Sequence, residues 1–357
     1  MTGRMKVTIC GKGDGCHSMA RYRPDGNNMQ QVELQEKKQA ILAYMEGLKH
    51  KGEKHLITGG LDIEPGIPLI AEVHDLSGKN LGLFGVEYCT EFGMHDYASA
   101  GDAVMWKEMN KLILAYAQNG GLVRILSHFP NPANARYNGL RDTPTEGDFS
   151  SILSPGTPER VRWLALIDEV IKGLLELNEH GIVPLYGPLH ENNGWWFWWG
   201  QNNAGSTVLR ALWEDIHARV EAAGCVVIWL WSLLADGCIY EDTYPDGLFD
   251  IVGVDVYGAE NAQDLSRRQA IYHSCLAKGK PFIISEFGPY HSDGDTCDGS
   301  YDYTVLIEQV KKHWPGAVAF MSWGGGFSVA KNAKVSELMN DPYVVNQEDL
   351  LFTRLSG

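Results

Sequence analysis

Two glutamates stand at the ends of strongly apolar runs and are the first candidates for chemistry. Glu191 ends the run IVPLYGPLHE (182–191), and Glu286 lies in KPFIISEFG (280–288). Charged side chains are seldom buried unless they are paired. Two carboxyl groups facing across a cleft can cleave a glycosidic bond, because one protonates the leaving oxygen while the other attacks the anomeric carbon or activates water. Each glutamate alone fits an ordinary ion pair, whereas the two together favour catalysis.

The aromatic segment that follows Glu191 is the most specific signal in the chain. HENNGWWFWWG (190–200) places five aromatic residues in succession, Trp195, Trp196, Phe197, Trp198 and Trp199. Indole rings offer large flat faces with one polar N–H, and the CH-rich faces of sugar rings pack on such surfaces. We expect some of the five to fill the mouth of the fold and others to contact a sugar.

Histidines beside these residues raise the question of a metal site. His190 and Glu191 begin an H-E-x-x-H sequence, but its fifth position is Gly194, so the zinc-protease motif is absent. We interpret His190, and His128 in LSHFPNP (126–132), as residues that orient a carboxyl group or bind sugar. The alternative for His128 is a hydrogen-bonded histidine of the core. We find no cofactor motif, and we predict neither a cofactor nor a metal.

Eight apolar runs alternate with helical patterns and must position these side chains. The runs are continuously apolar, as expected for parallel strands buried on both faces. They comprise residues 55–60, 81–89, 122–128, 182–191, 225–232, 249–258, 280–288 and 317–324. Helices are predicted at about 34–50, 102–118, 158–180, 206–223, 263–277 and 302–313. The signals are strongest for 158–180, where Thr157 caps the helix, Pro158 occupies its first position and Gly181 ends it.

This alternation predicts an α/β fold, specifically a single-domain (β/α)8 TIM barrel with its active site at the C-terminal ends of the strands. An open doubly wound sheet is the rival, but LDIEPG after Gly60 is not the expected glycine-rich loop. Glu191 and Glu286 end the fourth and seventh runs, which face each other across an eight-stranded barrel. The polar and aromatic residues near the ends of the runs are Glu87, Tyr88, His128, His190, Glu191, Trp231, Asp255, Tyr257, Glu286 and Trp323.

Composition excludes several classes of protein. The 357 residues include 30 Lys and Arg against 45 Asp and Glu, a net charge of −15. Such a surface repels phosphate backbones and anionic lipids, so we expect neither nucleic acid nor membrane as a partner. Of the seven cysteines, Cys10 and Cys16 lie close enough in sequence to pair, but seven ordinary buried thiols fit equally well.

Four motifs resemble those of glycoside hydrolase family 26, the family of β-mannanases and their relatives. They are LSHFPNP (126–132), PLHENNGWWFWWG (188–200), VGVDVYG (252–258) and IISEFG (283–288), and the resemblance extends over about residues 34–325. It implies a (β/α)8 fold and a retaining double displacement without metal. It further implies that Glu191 is the acid/base, Glu286 the nucleophile, and Tyr257 a hydrogen-bond donor to Glu286.

The same resemblance assigns the sugar-binding residues. His190 and His128 would bind the sugar in the −1 subsite, Trp323 would stack beneath that sugar, and Trp196 would line the +1 side. Family mannanases often carry a basic residue after the last tryptophan, whereas here residues 324–326 are all glycine. This departure implies a more open glycone end.

The function we predict is an endo-acting β-1,4-mannanase acting on mannan, glucomannan or galactomannan. A β-1,3-1,4-glucanase, a β-1,3-xylanase and a non-catalytic carbohydrate-binding barrel are the alternatives. We expect a monomer whose single catalytic domain spans 1–357, with 1–33 as an N-terminal extension packed on the barrel. MTGRMKVTIC is not a signal peptide, but a polysaccharide is too large to enter a cell, so we expect a secreted enzyme.

Overall fold

The computed structural model describes residues 27–62, 69–89, 95–290 and 298–353. The strands are β1 (Leu56–Ile57), β2 (Gly59–Asp62), β3 (Leu83–Glu87), β4 (Leu122–Ser127), β5 (Leu185–Pro188), β6 (Ile228–Leu234), β7 (Ile251–Tyr257), β8 (Phe282–Gly288), β9 (Ala317–Ser322) and β10 (Val344–Val345). The helices are α1 (Asn27–Leu48), α2 (Leu69–Ser77), α3 (Ala100–Ala103), α4 (Trp106–Ala117), α5 (Glu146–Leu153), α6 (Pro158–Glu179), α7 (Gln201–Ala222), α8 (Ala259–Gln263), α9 (Gln269–Ala277), α10 (Thr304–His313) and α11 (Val335–Met339).

The sheet is a closed parallel barrel. Strands β2 to β9 pair in sequence order, and β9 pairs in turn with β2, which closes eight strands into a ring. The predicted (β/α)8 TIM barrel is therefore confirmed, and the open sheet is excluded. The first apolar run divides into β1 and β2, and β1 pairs with β9 and with the unpredicted short strand β10.

One end of the barrel is covered by α1. Ile41, Met45 and Leu48 of this helix are buried in the same apolar cluster as the aliphatic side chains inside the barrel. Gln31 and Lys37 of α1 donate hydrogen bonds to backbone carbonyls of Gly224 and Gly181, in the turns that precede β6 and β5. The helix thus covers the N-terminal ends of the strands and leaves the C-terminal ends open.

Helix α6 matches its sequence signals closely. The Thr157 hydroxyl accepts a hydrogen bond from the backbone N–H of Arg160, Pro158 begins the helix, and Gly181 follows it with a φ of 72°. The other predicted helices are displaced or divided. Helix α1 begins at Asn27 rather than near residue 34, and α7 begins at Gln201, before a kink at Gly205 whose φ is 73°. Glycine permits this left-handed conformation.

Two other predicted helices are interrupted. The stretch 102–118 becomes α3 and α4, and 263–277 becomes α8, a 3-10 turn and α9. Residues 1–26, most of the predicted N-terminal extension, lie outside the described residues together with Cys10 and Cys16, so the single-domain assignment over 1–357 stays a prediction. None of the helices in the described ranges has the length and apolarity needed to cross a membrane.

Candidate active site

A strained turn after β5 presents Glu191. Leu189 and Glu191 both adopt left-handed backbone conformations, with φ values of 53° and 49°. Residues other than glycine adopt this conformation only at an energetic cost. Asn192 fixes the turn, because its side-chain amide donates to the carbonyls of Leu189 and Ser232 at 3.1 and 3.0 Å. Such strain held by buried hydrogen bonds is typical of functional sites.

An irregularity in the sheet positions Glu286. Along β7 and β8, Val254 lies opposite Ile284 but Asp255 lies opposite Glu286, so Ser285 is passed over in the register. Bulges of this kind redirect a side chain next to active sites. As a result, Asp255 and Glu286 become neighbours on adjacent strands at the open end of the barrel.

Three buried carboxyl groups meet in this region. One oxygen each of Glu191, Asp255 and Glu286 lie within 4.8 Å of one another, and all three residues are buried. The structure thus brings Glu191 and Glu286 together across the barrel, as the sequence predicted. It adds Asp255, which the sequence marked only as a residue near the end of a run.

Glu191 is surrounded in a way that favours its protonated form. The indole N–H of Trp196 donates a hydrogen bond to Oε2 of Glu191 at 2.6 Å. Burial, followed by the nearby Asp255, raises the pKa of Glu191 well above its usual value, against smaller opposing effects of Trp196 and Arg141. A carboxyl group with a raised pKa can act as a general acid near neutral pH.

Glu286 has partners that favour the charged form. The Tyr257 hydroxyl donates to Oε2 of Glu286 at 2.8 Å, and a guanidinium nitrogen of the buried Arg124 lies 3.5 Å from Oε1. Burial and the neighbouring Asp255 and Glu191 raise the pKa of Glu286, while Arg124 and Tyr257 oppose that rise. Among the described residues no buried cation acts on Glu191, where the exposed Arg141 has a smaller effect, so we infer that Glu286 ionises before it.

The absence of a side chain at Gly288 makes the contact between Tyr257 and Glu286 possible. A Cβ atom at Gly288 would lie 2.4 Å from two ring carbons of Tyr257, which is much closer than van der Waals contact. Tyr257 and Gly288 are also directly opposite each other in the β7–β8 register. Glycine is therefore required at this strand end for the tyrosine ring to reach the carboxylate.

The two predicted histidines line the cleft as neighbours. Nδ1 of His128 lies 2.5 Å from Oε2 of the buried Glu87, and this contact fixes the orientation of the ring. His190 packs edge-on against His128 with ring centres 4.2 Å apart. Burial, then His128 and Arg124, lower the pKa of His190 well below its usual value, so His190 is neutral and available as a hydrogen-bonding group.

The five consecutive aromatic residues divide between packing and the cleft. Trp198 and Trp199 are buried, and their indole N–H groups donate to the carbonyls of Phe129 and His190 at 2.8 and 2.9 Å. Phe197 stacks on Trp199 with ring centres 4.7 Å apart. Trp196 is half-buried beside Glu191, and Trp195 is 67% exposed at the rim. The five rings thus divide between the core and the cleft, and their contact with a sugar stays a prediction.

All seven predicted site residues line one cleft of about 550 Å³. They are His128, His190, Glu191, Trp196, Tyr257, Glu286 and Trp323. Arg141, Asp236, Tyr290 and Phe327 also line this cleft and were not predicted. They come from loops whose paths periodicity does not reveal. Phe327 follows the three glycines after Trp323 and lines the cleft together with it.

Sequence reasoning missed two buried charges and misplaced two aromatic residues. Arg124 was visible as a lone charge inside the apolar run LVRILS, and Asp255 shares a strand face with Tyr257, two residues on. Trp231 lies in the middle of β6 and packs against Trp213 of α7, not in the cleft. Tyr88 turns outward, where its hydroxyl donates to Asn110 of α4 at 2.5 Å.

Comparison with known proteins agrees with this geometry. The model of glycosyl hydrolase family 26 matches residues 32–349. The chain belongs to glycosyl hydrolase family 26. It is 30% identical over 288 residues to a mannan endo-1,4-beta-mannosidase of Bacillus subtilis strain 168, an alignment that covers 78% of this chain and 75% of that relative.

Two further relatives support the assignment of the chain to family 26. Mannan endo-1,4-beta-mannosidase A and B of Caldalkalibacillus mannanilyticus is 28% identical over 87% of this chain, which spans only 60% of that longer protein. The solved structure of Bacillus subtilis mannanase man26 superposes with a TM-score of 0.79 at 25% identity, covering 89% of this chain and 94% of the other. The barrel is thus that of a glycoside hydrolase.

In this family 26 barrel, Glu191, Asp255 and Glu286 are also the one group of potential metal ligands within the described ranges that lie close enough to share an ion. Arg124 already supplies a positive charge beside Glu286. The absence of a metal requirement stays a prediction.

Proposed function

We propose that the chain is an endo-acting β-1,4-mannanase that hydrolyses mannan, glucomannan or galactomannan with retention of anomeric configuration. The observation that supports it best is the pair of buried carboxyl groups, Glu191 and Glu286, whose oxygens approach within 4.8 Å in an aromatic cleft. Retaining enzymes place their carboxyl groups about 5–5.5 Å apart, and inverting enzymes need about 6.5–9.5 Å for a water between them. The spacing here favours direct attack.

The first step forms a covalent glycosyl-enzyme. An ionised oxygen of Glu286 attacks the anomeric carbon while Glu191 transfers its proton to the departing glycosidic oxygen, so that the C–O bond breaks as the new ester bond forms. Tyr257 and Arg124 hold Glu286 in place and in its charged form. Trp196 orients Glu191 toward the leaving group.

The second step releases the product. Glu191, now ionised, removes a proton from water, whose oxygen attacks the anomeric carbon as the ester bond to Glu286 breaks. The imidazoles of His128 and His190 and the ring of Trp323 would bind the sugar that carries the anomeric carbon. Trp196 would line the adjoining aglycone side. These roles rest on the placement of the side chains in the cleft.

Mannan is the proposed substrate because the relatives above are named as mannan endo-1,4-beta-mannosidases. Mixed-linkage β-glucan and β-1,3-xylan are the competing substrates from the sequence analysis. Mannose and glucose differ in the axial or equatorial position of O2. A barrel that only binds sugars is disfavoured, because burying Glu191, Asp255 and Glu286 together costs desolvation energy without adding to affinity.

The experiment that tests the proposal compares reducing-end release from mannan, glucomannan, barley glucan and β-1,3-xylan. We expect mannan and glucomannan to be cleaved at least about tenfold faster than the others, since a misplaced hydroxyl leaves buried polar groups unpaired. Proton NMR of the products of mannohexaose should show the β-anomer first. Faster cleavage of barley glucan or of xylan would transfer the proposal to that substrate, and an α-anomer would exclude retention.

The Tyr257→Phe variant tests how Glu286 is kept ionised. Loss of one hydrogen bond to a charged group costs about 1.5–3 kcal/mol, or about tenfold to a hundredfold in kcat/KM. Because Tyr257 lowers the pKa of Glu286, the acidic limb of the pH–kcat/KM profile should move to higher pH. The Tyr116→Phe variant, which removes a buried hydroxyl that donates to the backbone carbonyl of Leu81 away from the cleft, is the matched control. An acidic limb that stays in place would contradict this role of Tyr257.

We also propose that the enzyme acts outside the cell and as a monomer. Action outside the cell is proposed because the polysaccharide substrate is too large to enter a cell. The monomeric state is proposed because all of the residues in the proposed mechanism come from one chain. Activity found only in cell extracts, or a dimer in sedimentation at working concentrations, would contradict these two statements respectively.

A further inference from the structure

Asp255 is a buried carboxyl group for which the mechanism above has no use. Its side chain is completely buried at the open end of β7. The Ser285 hydroxyl donates to its Oδ1, whereas its Oδ2 has no hydrogen-bond partner. A buried carboxylate oxygen without a donor is energetically costly. Its position within 4.8 Å of both glutamates suggests a functional reason for keeping it.

The strands around Asp255 are built to hold it. The Ser232 hydroxyl of β6 donates to the Ser285 hydroxyl of β8 at 3.0 Å, and Ser285 donates in turn to Asp255. Gly253 of β7 lies between these two serines. A Cβ atom at that position would lie 2.4 Å from the oxygen of Ser285 and 2.8 Å from that of Ser232. The hydroxyl chain exists because this position has no side chain.

The charges that face Asp255 come from every neighbouring part of the barrel. Glu191 follows β5, Glu286 belongs to β8, and Tyr257 belongs to β7, while the buried Arg124 of β4 supplies the one cation that acts on Asp255 among the described residues. His190 is neutral, as argued above. Three carboxyl groups therefore share one buried positive charge, with Arg141 acting in addition on Glu191, so full ionisation of all three is unfavourable.

We propose that Asp255 is a positioning residue that, once ionised, holds the catalytic proton on Glu191 and so extends activity to higher pH. This inference rests on the proposed acid/base role of Glu191. Asp255 acts through its charge on a neighbouring group and touches no reacting atom. The three carboxyl groups titrate as a coupled set, so the loss of one changes how the others respond to pH.

The direction of the effect follows from the order of ionisation. Burial raises the pKa of Asp255 to about 7, although Arg124 and Ser285 act to lower it. Asp255 therefore becomes negative as the pH rises through about 7. Loss of the proton from Glu191 would then add another negative charge within 4.8 Å. The acid form of Glu191 accordingly persists to higher pH than it would without Asp255.

The test is the pH dependence of kcat/KM on mannan for the full chain and its Asp255→Asn variant, because this profile reports the ionisations of the free enzyme. Asparagine has nearly the same size but carries no charge. We expect the alkaline limb to move to lower pH by about one unit or more, since close like charges in a buried site interact strongly. The acidic limb should also move to lower pH, because the charge of Asp255 raises the pKa of Glu286 as well.

Two further variants make the result decisive. The Ser285→Ala variant removes the hydroxyl that lowers the pKa of Asp255, and we expect a smaller shift of the alkaline limb in the same direction. This variant serves as the test if the asparagine variant does not fold. The Asp250→Asn variant removes a half-buried aspartate near the start of β7 that bonds to the Trp229 backbone N–H. It should lower thermal stability and leave both limbs in place.

The outcomes separate this inference from the proposed function. A parent enzyme inactive on every polysaccharide would overturn the proposed function itself. An active parent whose alkaline limb is unchanged in both the Asp255→Asn and Ser285→Ala variants would overturn the role of Asp255 alone. A uniform loss of rate, with both limbs in place, would show that Asp255 is merely structural and would likewise contradict the inference.

Discussion

Replacing Glu286 with alanine is expected to lower kcat on mannan by about four to six orders of magnitude, the scale typical of losing a catalytic nucleophile. Neither of the two carboxyl groups that lie beside Glu286 in the described structure can take over the attack. Asp255 is tied to Ser285, and Glu191 must keep its proton for the leaving group. The measurement is the initial rate of reducing-end release at the optimum pH. The folded state is checked by near-ultraviolet circular dichroism, to which the many buried tryptophans contribute.

A rescue experiment identifies the missing group as the nucleophile. With an activated mannobioside, such as the 2,4-dinitrophenyl derivative, the leaving group departs without a proton from Glu191. Azide can occupy the space left by the carboxylate and attack the anomeric carbon from the same face. The C–N bond forms as the bond to dinitrophenolate breaks, and the product is the α-mannobiosyl azide.

The matched control for Glu286 is Glu308→Ala, an exposed glutamate of α10 that pairs with Lys311 at the surface. Such surface pairs contribute little, so its activity should equal that of the parent. Near-normal turnover of the Glu286→Ala variant on mannan would refute the nucleophile role. A β-azide from the same variant would also refute it, because it would show attack from the opposite face.

The barrel itself was predictable because its signals are local and repeated. Each buried parallel strand must be apolar on both faces, and each intervening helix must hide one apolar stripe, so the alternation appears directly in the sequence. Helix α6 illustrates this best, with Thr157, Pro158 and Gly181 marking its ends. Helix α7 began earlier than expected, because Gly205 permits a kink that joins an extra turn to the main helix.

That Glu191 and Glu286 face each other across the barrel was also predictable, since position along a barrel strand and strand order together determine which strand ends face each other. The residues that directly surround the two glutamates were not predictable. The neighbour relation between Asp255 and Glu286 depends on a register irregularity at Ser285, and no residue pattern signals that irregularity. Trp231 shows the converse error. Strand β6 extends two residues beyond the predicted run 225–232, so Trp231 lies in the middle of the strand and not at its end.

The different roles of the two glutamates depend on contacts between distant parts of the chain. Glu286 has the buried Arg124 of β4 and Tyr257 of β7 as partners, whereas Glu191 accepts an indole N–H from its own loop and is influenced by Arg141. A buried cation stabilises a negative charge much more than a neutral donor does. The sequence revealed the two acids, but only the folded arrangement shows which one keeps its proton.

Replacing Glu191 with alanine should produce a loss that depends on the leaving group. On mannan, whose leaving oxygen needs a proton, we expect kcat/KM to fall by about three to five orders of magnitude, combining lost proton transfer with lost orientation. On 2,4-dinitrophenyl β-mannobioside the first step should remain fast, because dinitrophenolate leaves without a proton. The second step should slow, because no base activates water. Stopped-flow measurement should therefore show a burst of dinitrophenolate.

The burst separates the acid/base role from every structural explanation of lost activity. A damaged cleft would slow both substrates by similar factors and would give no burst. Azide, which needs no base, should restore turnover of the accumulated intermediate and yield the β-mannobiosyl azide, the opposite anomer to that expected from the Glu286→Ala variant. Equal losses on mannan and on the activated substrate would assign the proton transfer to another group. Because Asp255 is the one other carboxyl group beside both glutamates in the described structure, it would then be the residue to examine.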